Sequence, residues 1–136
     1  MLFNSNPKLI HPNVFEKAKT IYNHLKMKVD VTLKPIERVG KYLGYTNQRL
    51  DVLFGREFDI LLWEHKYDDQ LLLATIAHEL VHVDQVVSGR LLINNAGDKT
   101  WVGQYYDSAC PWETEAEIIS NKIIEELFPE IPLLVH

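Results

Sequence analysis

His78-Glu79-Leu80-Val81-His82 is the stretch on which the reading of this chain turns. Around it, Leu73, Ile76, Ala77, Leu80 and Val87 recur at three- and four-residue steps, the period of a helix with a buried face. Asp68 or Asp69 is placed to cap the start of that helix, and Gly89 to end it. On a helix, side chains four apart lie one above the other, so the imidazoles of His78 and His82 can grip one metal ion. Glu79 stands beside them, positioned to hold and deprotonate a water on that ion. H-E-x-x-H in a helix is the arrangement of a zinc hydrolase. His78, His82 and Gln85 fall on a different stripe from the apolar residues, at steps of four and three.

A catalytic zinc usually has three protein ligands and one open position, so the chain must supply a third. One ligand set continues the helix as H-E-x-x-H-x-x-G-x-x-H, but here Gln85 and Ser88 occupy the later positions, which excludes it. Another takes a glutamate from a second helix. The pattern predicts such a helix from about Pro111 to Phe128, with Pro111 in its first turn, Pro129 as its stop and Ala116, Ile119, Ile123 and Leu127 as its buried stripe. It opens Pro111-Trp112-Glu113-Thr114-Glu115-Ala116-Glu117. Glu113 and Glu117 are one turn apart and face away from that stripe. Glu115, the nearest rival, lies roughly 160° round from Glu117. Acidic residues are favoured at a helix start by the dipole alone, so the residue types leave the third ligand open.

The pair H-E-x-x-H plus a later E-x-x-A-[DE], here residues 113 to 117, resembles the gluzincin metallopeptidases. It is most similar to the small CAAX-prenyl-protease-like members and to the minimal single-domain forms called minigluzincins. The resemblance rests on residues 78–82 and 113–117. The segment 57–63 matches in kind, and residues 1–56 carry no specific match. It implies a small zincin-like α+β domain and a zinc-dependent metallopeptidase that holds one Zn2+ per chain through His78, His82 and Glu113. It also implies that the acidic residue at Glu117, where the family usually has Asp, orients His78. A ligating histidine needs its other ring nitrogen held by an acceptor, so the physics agrees. Glu79 is then the general base that passes the water's proton to a leaving amine.

The remaining segments fill out one domain over residues 1–136, of α+β class. Val14, Phe15, Ala18, Ile21, Tyr22 and Leu25 predict an N-terminal helix from Pro12 to about Lys28. Val29, Val31 and Leu33 alternate with polar residues as a half-buried strand does. Arg49–Phe54 and Glu57–Trp63 suggest two strands joined at Gly55-Arg56. Together they predict a short antiparallel sheet of three or four strands, in which strand 57–63 could take an extended peptide by edge pairing. Residues 90–110 read as a long functional loop. Tyr105 and Tyr106 on it are candidate donors to a developing oxyanion. Gln85 is a candidate for contact with substrate or with a metal ligand. His65 is a weaker candidate ligand, and Cys110 reads as a plain thiol.

Composition narrows the class. A net charge of −5 with no long basic run disfavours nucleic acid as a partner. A single cysteine excludes a disulfide framework within the chain. The first residues, Met1 to Lys8, lack a signal-peptide pattern, and no apolar run is long enough to cross a bilayer, so the expected location is cytoplasmic with no membrane role. The expected partner is a peptide or protein substrate. The alternatives are a metal-containing binding module with a latent or vestigial protease site, and a zinc hydrolase of a non-peptide amide. The sequence is silent on oligomeric state.

Overall fold

The central helix of the computed structural model is Asp69–Val87, which becomes helical for legible reasons. Asp68 caps it, accepting a hydrogen bond from the Leu71 amide at 2.7 Å, so one of the four unpaired N–H groups of the first turn is satisfied. Ser88 closes it, and Gly89 then leaves at φ +81°, the left-handed turn that a residue without Cβ takes at low cost. Leu73, Ile76, Ala77 and Leu80 are essentially fully buried, as their period implies. Leu72, Ala74, Val81 and Val83 are buried too, while Val87 is half-buried. Apolar burial right round a helix marks one enclosed by other elements rather than lying on a surface.

The structure describes residues 3–5, 10–36, 44–48, 57–63, 68–93, 99–105 and 110–131. In chain order they form β1 (Phe3–Ser5), α1 (Pro12–His24), β2 (Asp30–Ile36), β3 (Gly44–Gln48), β4 (Glu57–Trp63), α2 (Asp69–Val87), β5 (Leu91–Ile93), β6 (Lys99–Trp101), β7 (Gln104–Tyr105) and α3 (Pro111–Leu127). Helix and strand are both present, as an α+β chain requires. α1 ends at His24, four residues before the expected stop, and the chain turns at Lys26 with φ +54°. The Tyr22 hydroxyl donates to the Val29 carbonyl at 2.6 Å and ties this turn to the start of β2.

The main sheet has four strands in the order β1-β2-β4-β3. It is mixed, not antiparallel: β1 with β2 and β2 with β4 are parallel, and only β3 runs against β4. Alternation of apolar and polar residues is the same in either direction, so it could not reveal this. The direction is set by connections. α1 supplies the crossover that parallel neighbours need between β1 and β2. β4 then inserts between β2 and β3, with Val31 opposite Phe58 and Leu33 opposite Ile60. Those four and Leu62 are wholly buried and form the sheet's side of the core, beneath α1 and α2.

Two expectations change as a result. Strand 57–63 is flanked on both sides, so it offers no edge to a peptide; the edge beside it is β3. Its hairpin partner is Gly44–Gln48, whereas the expected strand 49–54 lies outside the described residues. Residues 90–110 are also not a bare loop: β5, β6 and β7 form a small antiparallel meander. Its second turn is Val102-Gly103, both at positive φ (50° and 80°), the signature of the two-residue hairpin turn that matches strand twist. Among the described residues no helix is long and apolar enough to cross a membrane.

Candidate metal centre

α2 and α3 meet where their chemistry-bearing residues lie. α3 begins at Pro111, whose missing N–H costs nothing in a first turn. Trp112, Ala116, Ser120, Ile123 and Ile124 are its buried positions, while Ile119 and Leu127 sit at the margin of the core. That rotation leaves Glu113, in the first turn, over the imidazoles of α2.

His78 and His82 stand edge to face, with ring centroids 4.7 Å apart. Their Nε2 atoms are 3.1 Å apart. Glu113 Oε1 lies 2.5 Å from His82 Nε2, and Oε2 lies 3.6 Å from His78 Nε2. Glu79 is buried alongside, and donor atoms of His78, Glu79 and His82 all fall within 4.8 Å of one another. The cluster opens towards solvent on one side: the side chain of His82 is 12% exposed, His78 21% and Glu113 50%.

The electrostatics follow from this crowding. Contact with His78 and then His82 holds the Glu113 carboxyl well below the usual carboxylate range, against the opposing effect of partial burial. Burial pulls the His82 imidazole down. The hydrogen bond to Glu113, the charge of Glu79, the Gln85 contact and the charge of Glu113 together outweigh it and leave the ring raised. The same contacts that bring the donors together therefore favour the protonated form of His82.

His82 is braced from behind. Its Nδ1 meets Gln85 Oε1 at 2.8 Å. The Gln85 amide donates to the Trp112 carbonyl at 2.9 Å and to Glu115 Oε1 at 3.3 Å. Glu115 Oε1 in turn accepts from Arg90 Nη2 at 2.7 Å, and Arg90 also reaches Asp84 at 3.4 Å. So the rival ligand Glu115 is engaged away from the imidazoles. Sequence reasoning missed Arg90 and Glu115 as braces, because their partner lies 25 residues away along the chain. The spacing of His82 and Gln85 was the only available signal.

Glu117 makes no hydrogen bond or ion pair with His78 in the described structure; the imidazole held at its second nitrogen is His82, and the holder is Gln85. One turn of α3 separates Glu113, which meets both imidazoles, from Glu117. Tyr106 and His65 lie outside the described residues, as does the side chain of Tyr105. Cys110 is exposed at the N-terminal boundary of α3.

The donor set suits a borderline-soft divalent ion. Tetrahedral bonds of about 2.0–2.2 Å to nitrogen and oxygen place neighbouring donors roughly 3.3 Å apart. The 3.1 Å and 3.6 Å separations match that spacing, and the 2.5 Å contact needs only a small retreat of the half-exposed Glu113 carboxylate. No protein-family profile, curated protein or solved structure matches the chain.

Proposed function

We propose that the protein is a zinc-dependent metallopeptidase of zincin-like type, with His78, His82 and Glu113 as the ligands of one ion and Glu79 as general base. The observation that carries this reading is the convergence of two imidazole nitrogens from α2 and a carboxylate from α3 at ligand spacing, with a buried carboxylate next to them. Two neutral imidazoles and one carboxylate leave a divalent ion at net +1. Such an ion, when bound, acidifies a water and polarises a carbonyl. The chain does the rest. Glu79 accepts the water's proton on its carboxylate and returns it to the departing nitrogen, so that amine leaves rather than amide anion. A peptide is favoured as substrate because β3 is an edge strand packed against α2, and among the described residues no strand pairs with its outer flank.

The test is metal content and turnover on the full chain. Near-stoichiometric zinc, with hydrolysis of an unfolded polypeptide that chelator abolishes and zinc restores, is the expected result. Zinc without turnover on a broad peptide and amide panel would favour a metal-holding binding module. Failure to take up zinc, cobalt or manganese would sink the proposal.

Metal uptake is also expected to compete with protons. The sign follows from two shifts. Glu113 is lowered, so its contribution to the metal-free fold is present above its unfolded value of 4.5 and is lost as pH falls through the folded one. His82 is raised, so its contribution is full below 6.5 and is lost as pH rises through its folded value. The metal-free pair is thus strongest between 4.5 and 6.5, where His82 carries the proton a metal must displace. Below the folded value of His82, zinc affinity should rise with pH by at least about tenfold per unit, with at least one proton released per ion bound. Competition titrations at several pH values read this directly, and a flat profile would contradict it.

A further inference from the structure

The orientation of the Gln85 side chain is over-determined by what surrounds it. Gln85 is fully buried, so water cannot satisfy either end of its amide. The Trp112 carbonyl oxygen, 2.9 Å away, can only accept. Glu115 Oε1, 3.3 Å away, belongs to a carboxylate that also receives the Arg90 guanidinium. Both neighbours therefore demand the NH2 end, and the oxygen is left facing His82 Nδ1 at 2.8 Å. Flipping the amide would set its oxygen against two acceptors.

We infer that Gln85 is a positioning residue that locks neutral His82 in the Nδ1–H tautomer, with Nε2 bare and turned towards His78 and Glu113. An amide oxygen only accepts, so Nδ1 must be the donor. A neutral imidazole has one N–H, and its lone pair is then on Nε2. Glu113 competes for a proton on Nε2, but its carboxylate is half-exposed and can turn to water. The Gln85 oxygen is sealed in; facing it with a bare Nδ1 would leave two buried acceptors in contact with no proton between them. A carboxylate could not replace the amide. It has no donor for Trp112, and it would bring a second negative charge against Glu115. The brace also joins the two ligand-bearing helices, since Gln85 lies on α2 and both its NH2 partners lie on the first two turns of α3.

The consequence for metal affinity rests on the triad being a metal centre; the tautomer does not, and the experiment separates them. Nitrogen–proton correlation NMR of the metal-free full chain, at a pH where the rings are neutral, should find the His82 proton on Nδ1. Gln85→Leu should move it largely to Nε2 and weaken zinc binding about 10- to 100-fold, the usual cost of losing the partner that orients a ligand. Wild-type His82 protonated on Nε2 would overturn the inference, and this measurement decides even if the variant does not fold. A folded Gln85→Leu chain with unchanged tautomer and affinity would overturn it as well. A wild-type chain with the Nδ1 proton but no affinity for zinc would remove the metal reading and leave the tautomer lock standing.

Discussion

Glu79→Gln is expected to retain zinc at the wild-type stoichiometry and to lower the hydrolytic rate about a hundred- to ten-thousand-fold. The substitution keeps the shape and buried volume of the side chain, which matters because Glu79 is only 7% exposed. It removes the one property the proposed role needs, since an amide cannot take up and release a proton at neutral pH. His78, His82 and Glu113 are also held directly against one another, and an amide of the same shape in place of the Glu79 carboxylate should leave that arrangement standing. Removing that charge also removes one of the influences that raise His82, so the proton competing with the metal should bind less tightly. Elemental analysis and initial rates on the same preparation would check the prediction. A variant that hydrolyses at the wild-type rate would show that Glu79 is not the base. One that loses both zinc and folded structure would recast it as a structural residue.

The helix that carries this chemistry was legible because its signals are local. The Asp68 cap, the Leu73–Leu80 spacing and the Gly89 exit each act within a few residues, and all three hold in the structure. The start of α3 was legible for the same reason, with Pro111 placed where an N–H is not needed. What the sequence left open was non-local. Val31 and Leu33 alternate identically whether their neighbour is parallel or antiparallel, so neither the direction of β2 nor the insertion of β4 beside it could be read. The same limit hid the partner of the Arg90 guanidinium. The brace on His82 was legible only in part: spacing puts Gln85 one turn past the ring, but Trp112 and Glu115 are brought against it only by the packing of α2 on α3.

That packing sets up the second large effect. Glu113→Ala should weaken zinc binding by more than about a hundredfold, exceeding what loss of an outer partner costs, because it takes away a ligand itself. Glu117→Ala should change it little, since among the described residues the hydrogen bonds and ion pairs of the two imidazoles run to Glu113, to Gln85 and to each other. Comparing the two separates a site built at the first turn of α3 from one that spans two turns. Glu113 is half-exposed, so its removal leaves no cavity and the metal-free fold should persist, with His82 losing the hydrogen bond and charge that help to raise it. The loss of affinity should therefore appear in a chelator competition on a protein whose circular dichroism is unchanged. Zinc held equally well by Glu113→Ala and wild type would take Glu113 out of the ligand set. If Glu117→Ala were then the variant that released the ion, the ligand would have to come from the second turn of α3, and the helix would have to turn about its axis when the metal binds.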